Sequence, residues 1–187
     1  MTPPKSPRKK NDTAGIVTDK DCLQQCLDAA YRLLCYRPRS ESEVRSLLRR
    51  RGFPPQVIAQ ALARLGEQKL IDDLAFARFW KDNRLSFRPR SKRMIEKELR
   101  TKQVAEEIIA EITQDIDDEK VAYELGLRRM SALWNLDYDH FCRRLTNYLA
   151  YRGFSHGTVR HTVSLLWQEK QRRDKNTSPS QRSNASD

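Results

Sequence analysis

Arg49-Arg50-Arg51-Gly52-Phe53 returns about a hundred residues later as Ala150-Tyr151-Arg152-Gly153-Phe154, and an altered copy, Arg100-Thr101-Lys102-Gln103-Val104, lies halfway between them. In each copy an apolar stripe at helical spacing precedes the turn and another follows it. Val44 and Leu48 recur as Ile95 and Leu99, then as Leu145 and Leu149, at offsets of 51 and 50 residues. One helix pair cannot bury its apolar stripe alone, whereas stacked neighbours can. A period near fifty residues therefore marks a repeat protein, of the kind that binds along extended surfaces.

Working outward from these turns, helix signals recur. Asp21 caps a first helix carrying Leu23, Leu27, Ala30 and Leu34, which stops before Pro38. Ser40 opens a second helix, with Glu43 completing a capping box and Val44, Leu47 and Leu48 facing inward. Gly52 stands where a left-handed residue closes that helix, and Pro54-Pro55 suit the first turn of a third, with Val57, Ile58, Ala61, Leu62 and Leu65 buried. The next unit starts at Asp72-Asp73, carboxylates that suit a helix N-terminus, with Phe76, Ala77, Trp80 and Phe87 along one side. Ser91 caps its second helix, and Ile108, Ile109 and Ile112 match Val57, Ile58 and Ala61. The last unit opens at Asp117-Asp118 and carries Ala122, Leu125 and Leu133, then Phe141, Leu145 and Leu149, then Val159, Val163 and Leu166.

The reading is all-α: three tandem three-helix repeats over residues 21–70, 71–116 and 117–170, flanked by polar tails at 1–20 and 171–187 expected to be disordered. Composition agrees, since 38% apolar and 33% charged residues with only 6 Gly suit thin helical layers better than one thick core. No signal peptide or run of about 20 apolar residues appears. The cysteines, Cys22, Cys26, Cys35 and Cys142, have no disulfide-scaffold density, so a reduced, cytoplasmic protein is expected, without membrane contact.

A formal net charge of +11 points to a polyanionic partner, nucleic acid first. Basic residues crowd between Arg84 and Lys102, and acidic ones between Glu106 and Glu124, which suggests opposite surfaces. Arg88, Arg90, Lys92 and Arg93 straddle the entry of a helix, where guanidinium forks add to free backbone N–H groups in holding phosphates. The DNA-binding candidates are accordingly Arg84, Arg88, Arg90, Lys92, Arg93 and Lys97, continued by Arg49, Arg50, Arg51, Arg143, Arg144 and Arg152 in equivalent places. No residue is placed to read base edges, so little sequence specificity is expected.

No phosphate-binding glycine loop occurs, and His140, His156 and His161 lie in different elements without a catalytic partner. Cys22 and Cys26 share a helix face but have no further ligand at metal spacing. The expectation is a binding protein, not an enzyme, with no metal and no cofactor. A second reading is a sequence-specific helical DNA-binding transcriptional regulator, in which Arg-rich second helices imitate a helix-turn-helix. It is disfavoured because Asn and Gln, which read base edges, are sparse in the basic helices.

The run Ile71-Asp72-Asp73-Leu74-Ala75-Phe76-Ala77 with Trp80 and Arg84 resembles the hallmark segment of the RecX family, regulators of the RecA recombinase. So does Arg88-Pro89-Arg90-Ser91-Lys92-Arg93-Met94-Ile95-Glu96-Lys97-Glu98-Leu99, and the flanks agree over about residues 24–168. The resemblance implies three three-helix repeats in an elongated, curved, solenoid-like array. It implies binding in the groove of the RecA–single-stranded DNA filament, with modulation, usually inhibition, of ATPase, filament growth and strand exchange in SOS-linked recombinational repair. Affinity for single-stranded and, weakly, double-stranded DNA follows too, and a monomer is expected. Gln103 stands where the family carries glycine; a side chain at a left-handed position costs roughly a kcal/mol, so that turn is expected to close differently.

Overall fold

The computed structural model describes residues 19–176, and among them every regular element is helical. In chain order these are α1 (Asp19–Tyr36), α2 (Glu41–Arg50), α3 (Pro55–Glu67), α4 (Asp73–Phe87), α5 (Lys92–Thr101), α6 (Glu106–Thr113), α7 (Asp118–Met130), a 3₁₀ turn (Ser131–Leu133), α8 (Tyr138–Tyr151) and α9 (His156–Asn176). None is long and apolar enough to cross a membrane. Of the expected tails at 1–20 and 171–187, residues 1–18 and 177–187 lie outside the described residues, while 19–20 and 171–176 are helical.

Two boundaries differ from the sequence reading. α1 starts at Asp19, so Asp21 lies within it rather than at its cap. α9 runs to Asn176, past the limit at 170, because i,i+4 pairs between Lys170 and Asp174 and between Glu169 and Arg173 carry the helix beyond its apolar stripe.

The chain divides into two compact units, residues 1–37 with 44–70 and residues 38–43 with 71–187. In the first, α1 packs on α3, burying Leu23, Cys26, Leu27 and Leu33 with Ile58, Leu62 and Leu65. The second holds two clusters. Phe76, Ala77, Ile95, Leu99, Val104, Ile109 and Ile112 form one, between α4, α5 and α6. Ala122, Leu125, Phe141, Leu145, Leu149, Val159 and Leu166 form the larger, between α7, α8 and α9. Phe87 departs from expectation: its ring is 77% exposed, because α4 ends there and the chain turns away at Pro89.

The three turns quoted at the outset close alike. Gly52, Gln103 and Gly153 all take positive φ, at 89°, 56° and 92°. Each following N–H reaches back to the helix: Phe53 to Leu48 O, Val104 to Leu99 O, Phe154 to Leu149 O. Gln103 therefore adopts the left-handed conformation despite its side chain, and the expected difference in closure does not occur.

Candidate nucleic-acid interface

The paired aspartates show how the second unit positions its basic helices. The first of each pair caps its own helix: Asp72 accepts from Leu74 and Ala75 N–H at 2.8 and 3.0 Å, Asp117 from Glu119 and Lys120 at 2.9 and 3.1 Å. The second caps the preceding repeat. Asp73 accepts from Glu41 N–H at 2.9 Å, and Asp118 from Lys92 N–H at 2.7 Å. Burial pushes both carboxyls up from the usual aspartate value, an effect these N–H donors partly offset. The buried capping serines complete each junction, Ser40 Oγ donating to Lys102 O at 3.0 Å and Ser91 Oγ to Gly153 O at 2.7 Å.

The twelve candidate cations separate into two groups. Glu98 draws in Arg84 Nε at 2.6 Å and Arg90 Nε at 3.2 Å, together with the Trp80 indole N–H at 2.8 Å. Arg84 also lies 4.4 Å from the Trp80 ring centre. Arg152 is half-buried, donating to Pro89 O at 3.2 Å beside the Tyr148 ring. Lys92 is half-buried at the α5 terminus taken by Asp118. Arg84, Arg90 and Arg152 thus hold the protein together, and the N–H that Lys92 would offer a phosphate already has a carboxylate.

The rest point outward. Arg88, Arg93 and Lys97 are exposed around α5, Arg143 and Arg144 on α8, and Arg49, Arg50 and Arg51 at the end of α2. Arg51 also donates to Ala29 O at 3.4 Å within its own unit. Arg93 and Lys97, one helical turn apart, line a groove with Met94, Ala150, Gly153 and Phe154, so the outer face of α5 runs onto the end of α8. From there Asn147 and Arg143 continue along the same face of α8 at helical spacing.

The acidic stretch is not simply an opposite surface. Glu111 pairs with Arg78 at 3.2 Å, Asp115 with Lys81 at 3.1 Å and Glu106 with Arg100 at 2.7 Å. These bonds hold the Glu106 and Asp115 carboxyls below their ordinary range. They leave the exposed ends of Arg93 and Lys97 untouched.

Among the described residues no group of His, Cys, Asp and Glu is arranged to hold a metal ion. Cys26 is buried, which with Cys22 beside it pushes its thiol pKa up and away from the reactive thiolate. His140 serves the α8 cap, its ring 2.8 Å from the Asp137 carboxylate. One repeated element escaped the sequence reading: Tyr36-Arg37-Pro38-Arg39-Ser40 matches Phe87-Arg88-Pro89-Arg90-Ser91 at the same 51-residue offset, a signal visible in the bare sequence.

Comparison with known proteins agrees with this architecture. Family models described as the first and second three-helix domains of RecX match residues 26–65 and 72–112. The chain is 33% identical to a Regulatory protein RecX from Streptomyces coelicolor over 153 residues, 80% of this chain and 81% of that protein. It is 32% identical to one from Prosthecochloris aestuarii over 150 residues, 80% of this chain and 98% of the relative. The crystal structure of RecX from Lactobacillus salivarius shares the fold at a TM-score of 0.66 and 19% identity, covering 79% of this chain and 97% of that one. With the helical fold and the sequence in agreement, the chain belongs to the RecX family of regulatory proteins.

Proposed function

We propose that this chain binds the RecA–single-stranded DNA filament as a monomer in the cytoplasm and lowers RecA's ATP hydrolysis, filament growth and strand exchange. One observation carries the nucleic-acid part of this reading. Arg93 and Lys97 are exposed on α5 and line a groove that reaches Ala150 at the end of α8, the helix on which Arg143 and Arg144 are also exposed. Spaced cations on rigid helices suit a regular phosphate backbone, and membership of a regulatory family supports RecA as the protein partner. Base-edge readers are sparse on these faces, Asn147 being the one amide among the named residues, which favours binding independent of sequence, so a filament is chosen by its protein lattice and not by its bases.

The test is direct. Substoichiometric protein slows DNA-dependent ATP hydrolysis by RecA and shortens filaments seen by electron microscopy. Unchanged hydrolysis and filament length at equimolar protein would sink the proposal. If Arg88, Arg93, Lys97, Arg143 and Arg144 each meet one phosphate of a single strand, log K against log salt has a slope of about −3.5. Replacing Arg93, Lys97, Arg143 and Arg144 together by Ala brings that slope to about −0.7 without loss of helicity.

A further inference from the structure

The twice-used element aromatic-Arg-Pro-Arg-Ser ends the first helix of a repeat and leads into the serine that caps the second. Its ring is left in solvent both times. Tyr36 is 87% and Phe87 77% exposed, the two highest values for large apolar side chains among the described residues. A single exposed ring is unremarkable, but the same ring at the same place in two repeats is a feature of the design of the repeat.

In the second unit the residues after the ring are pinned. Pro89 is buried, and its carbonyl accepts from Arg152 Nη1 at 3.2 Å. Arg90 is held by Glu98 at 3.2 Å, and Ser91 is bonded to Gly153 O at 2.7 Å. Phe87 and the exposed Arg88 therefore project from a fixed base at the start of α5, just before the exposed Arg93. An aromatic face beside guanidinium groups on a rigid support stacks an unpaired base while the cations hold the neighbouring phosphates. Stacking of this kind tolerates any base, because every base has a π-face. Little is lost in ordering the support, since it is ordered already.

We propose that Phe87, and Tyr36 in its own repeat, are stacking platforms for unpaired bases of single-stranded nucleic acid. The inference rests on the nucleic-acid reading above and adds the source of single-strand preference: bases in a duplex are already stacked on one another and cannot use the ring.

Anisotropy titrations with a labelled oligothymidylate, an abasic strand of equal length and a duplex separate the two ideas. The unaltered protein binds oligothymidylate roughly tenfold more tightly than the abasic strand. Phe87→Ala removes most of that preference and leaves the salt slope unchanged, because the phosphate contacts stay. Phe87→Trp keeps the preference and Phe87→Leu loses it, which distinguishes a flat π-face from mere apolar bulk. Tyr36→Ala has the same kind of effect, and the double variant loses more than either alone. Equal affinity of the unaltered protein for both strands overturns the platforms while phosphate binding stands. Binding to neither strand overturns the nucleic-acid reading itself. A Phe87→Ala protein that binds every DNA normally but RecA filaments weakly overturns the inference in favour of a protein contact.

Discussion

The junction at Ser40 and the junction at Ser91 are the same device built twice from different side chains. In both, a buried serine caps a helix and reaches the end of the next repeat's second helix, and an aspartate from that repeat covers the adjacent N–H. The left-handed residue facing the serine is Gln103 in one and Gly153 in the other. A Cβ on Gly153 would lie 2.8 Å from Ser91 Oγ and 3.1 Å from Met94 Cβ. Ser40 instead bonds one residue earlier, to Lys102 O, and the Gln103 side chain accepts from Ser42 Oγ at 2.7 Å. The preceding cation differs as well: Lys102 pairs with Glu43 and lies over Trp80, whereas Arg152 holds the Pro89 carbonyl. Backbone geometry is shared because the helices must end alike. What may carry a side chain depends on where the neighbouring hydroxyl reaches.

The sharpest way to break this comparison is to copy one junction into the other. Gly153→Gln combines a positive φ with the Ser91 collision and lowers the unfolding free energy by about 2–3 kcal/mol in urea titrations. A loss below about 0.5 kcal/mol would show that the two turns are interchangeable and that the close approach imposes nothing. Ser91→Ala comes next. It removes a cap and the partner of the half-buried Gly153 carbonyl, costing about 1–2 kcal/mol, with Ser40→Ala costing a similar amount if the junctions are equivalent.

The smallest effect concerns pH. Because burial raises the folded-state pKa of Asp118, the folded protein binds its proton at a pH where the unfolded chain, near 3.8, does not. Through that window stability falls as pH rises and increases as pH drops. Asp118→Asn flattens this part of the profile, and Asp73→Asn does the same at the other junction. Asp137 has the opposite sign: hydrogen bonds from His140 depress its pKa, so its contribution is present above 3.8 and fades as pH falls through the lower folded value. Identical pH profiles for the parent and Asp118→Asn proteins would refute the buried-carboxylate account.

Much of the fold was legible because the cues are local. Capping serines and aspartates, prolines at helix starts and apolar spacing act within a turn or two of chain, and the repeat offset set the number of layers to expect. The site was legible only in part. Arg84 and Arg90 look, in sequence, as available as Arg93 and Lys97. Their capture by Glu98 depends on α4 and α5 crossing so that one carboxylate reaches both. Phe87 continues the side of α4 that carries Phe76 and Trp80, yet α4 outlasts the core it covers and leaves the last ring outside.

From residue order alone came the helical class, the repeat and the likeness to RecX, since period and propensity are written along one dimension. Which aspartate caps which helix, and which arginines face water, required folding. Those pairings join groups as many as 63 residues apart, as between Pro89 and Arg152, and depend on how one helical layer is seated on the next. A guanidinium has the same chemistry in solvent or beside Glu98, so only the packing around it settles whether it binds a phosphate or a neighbour.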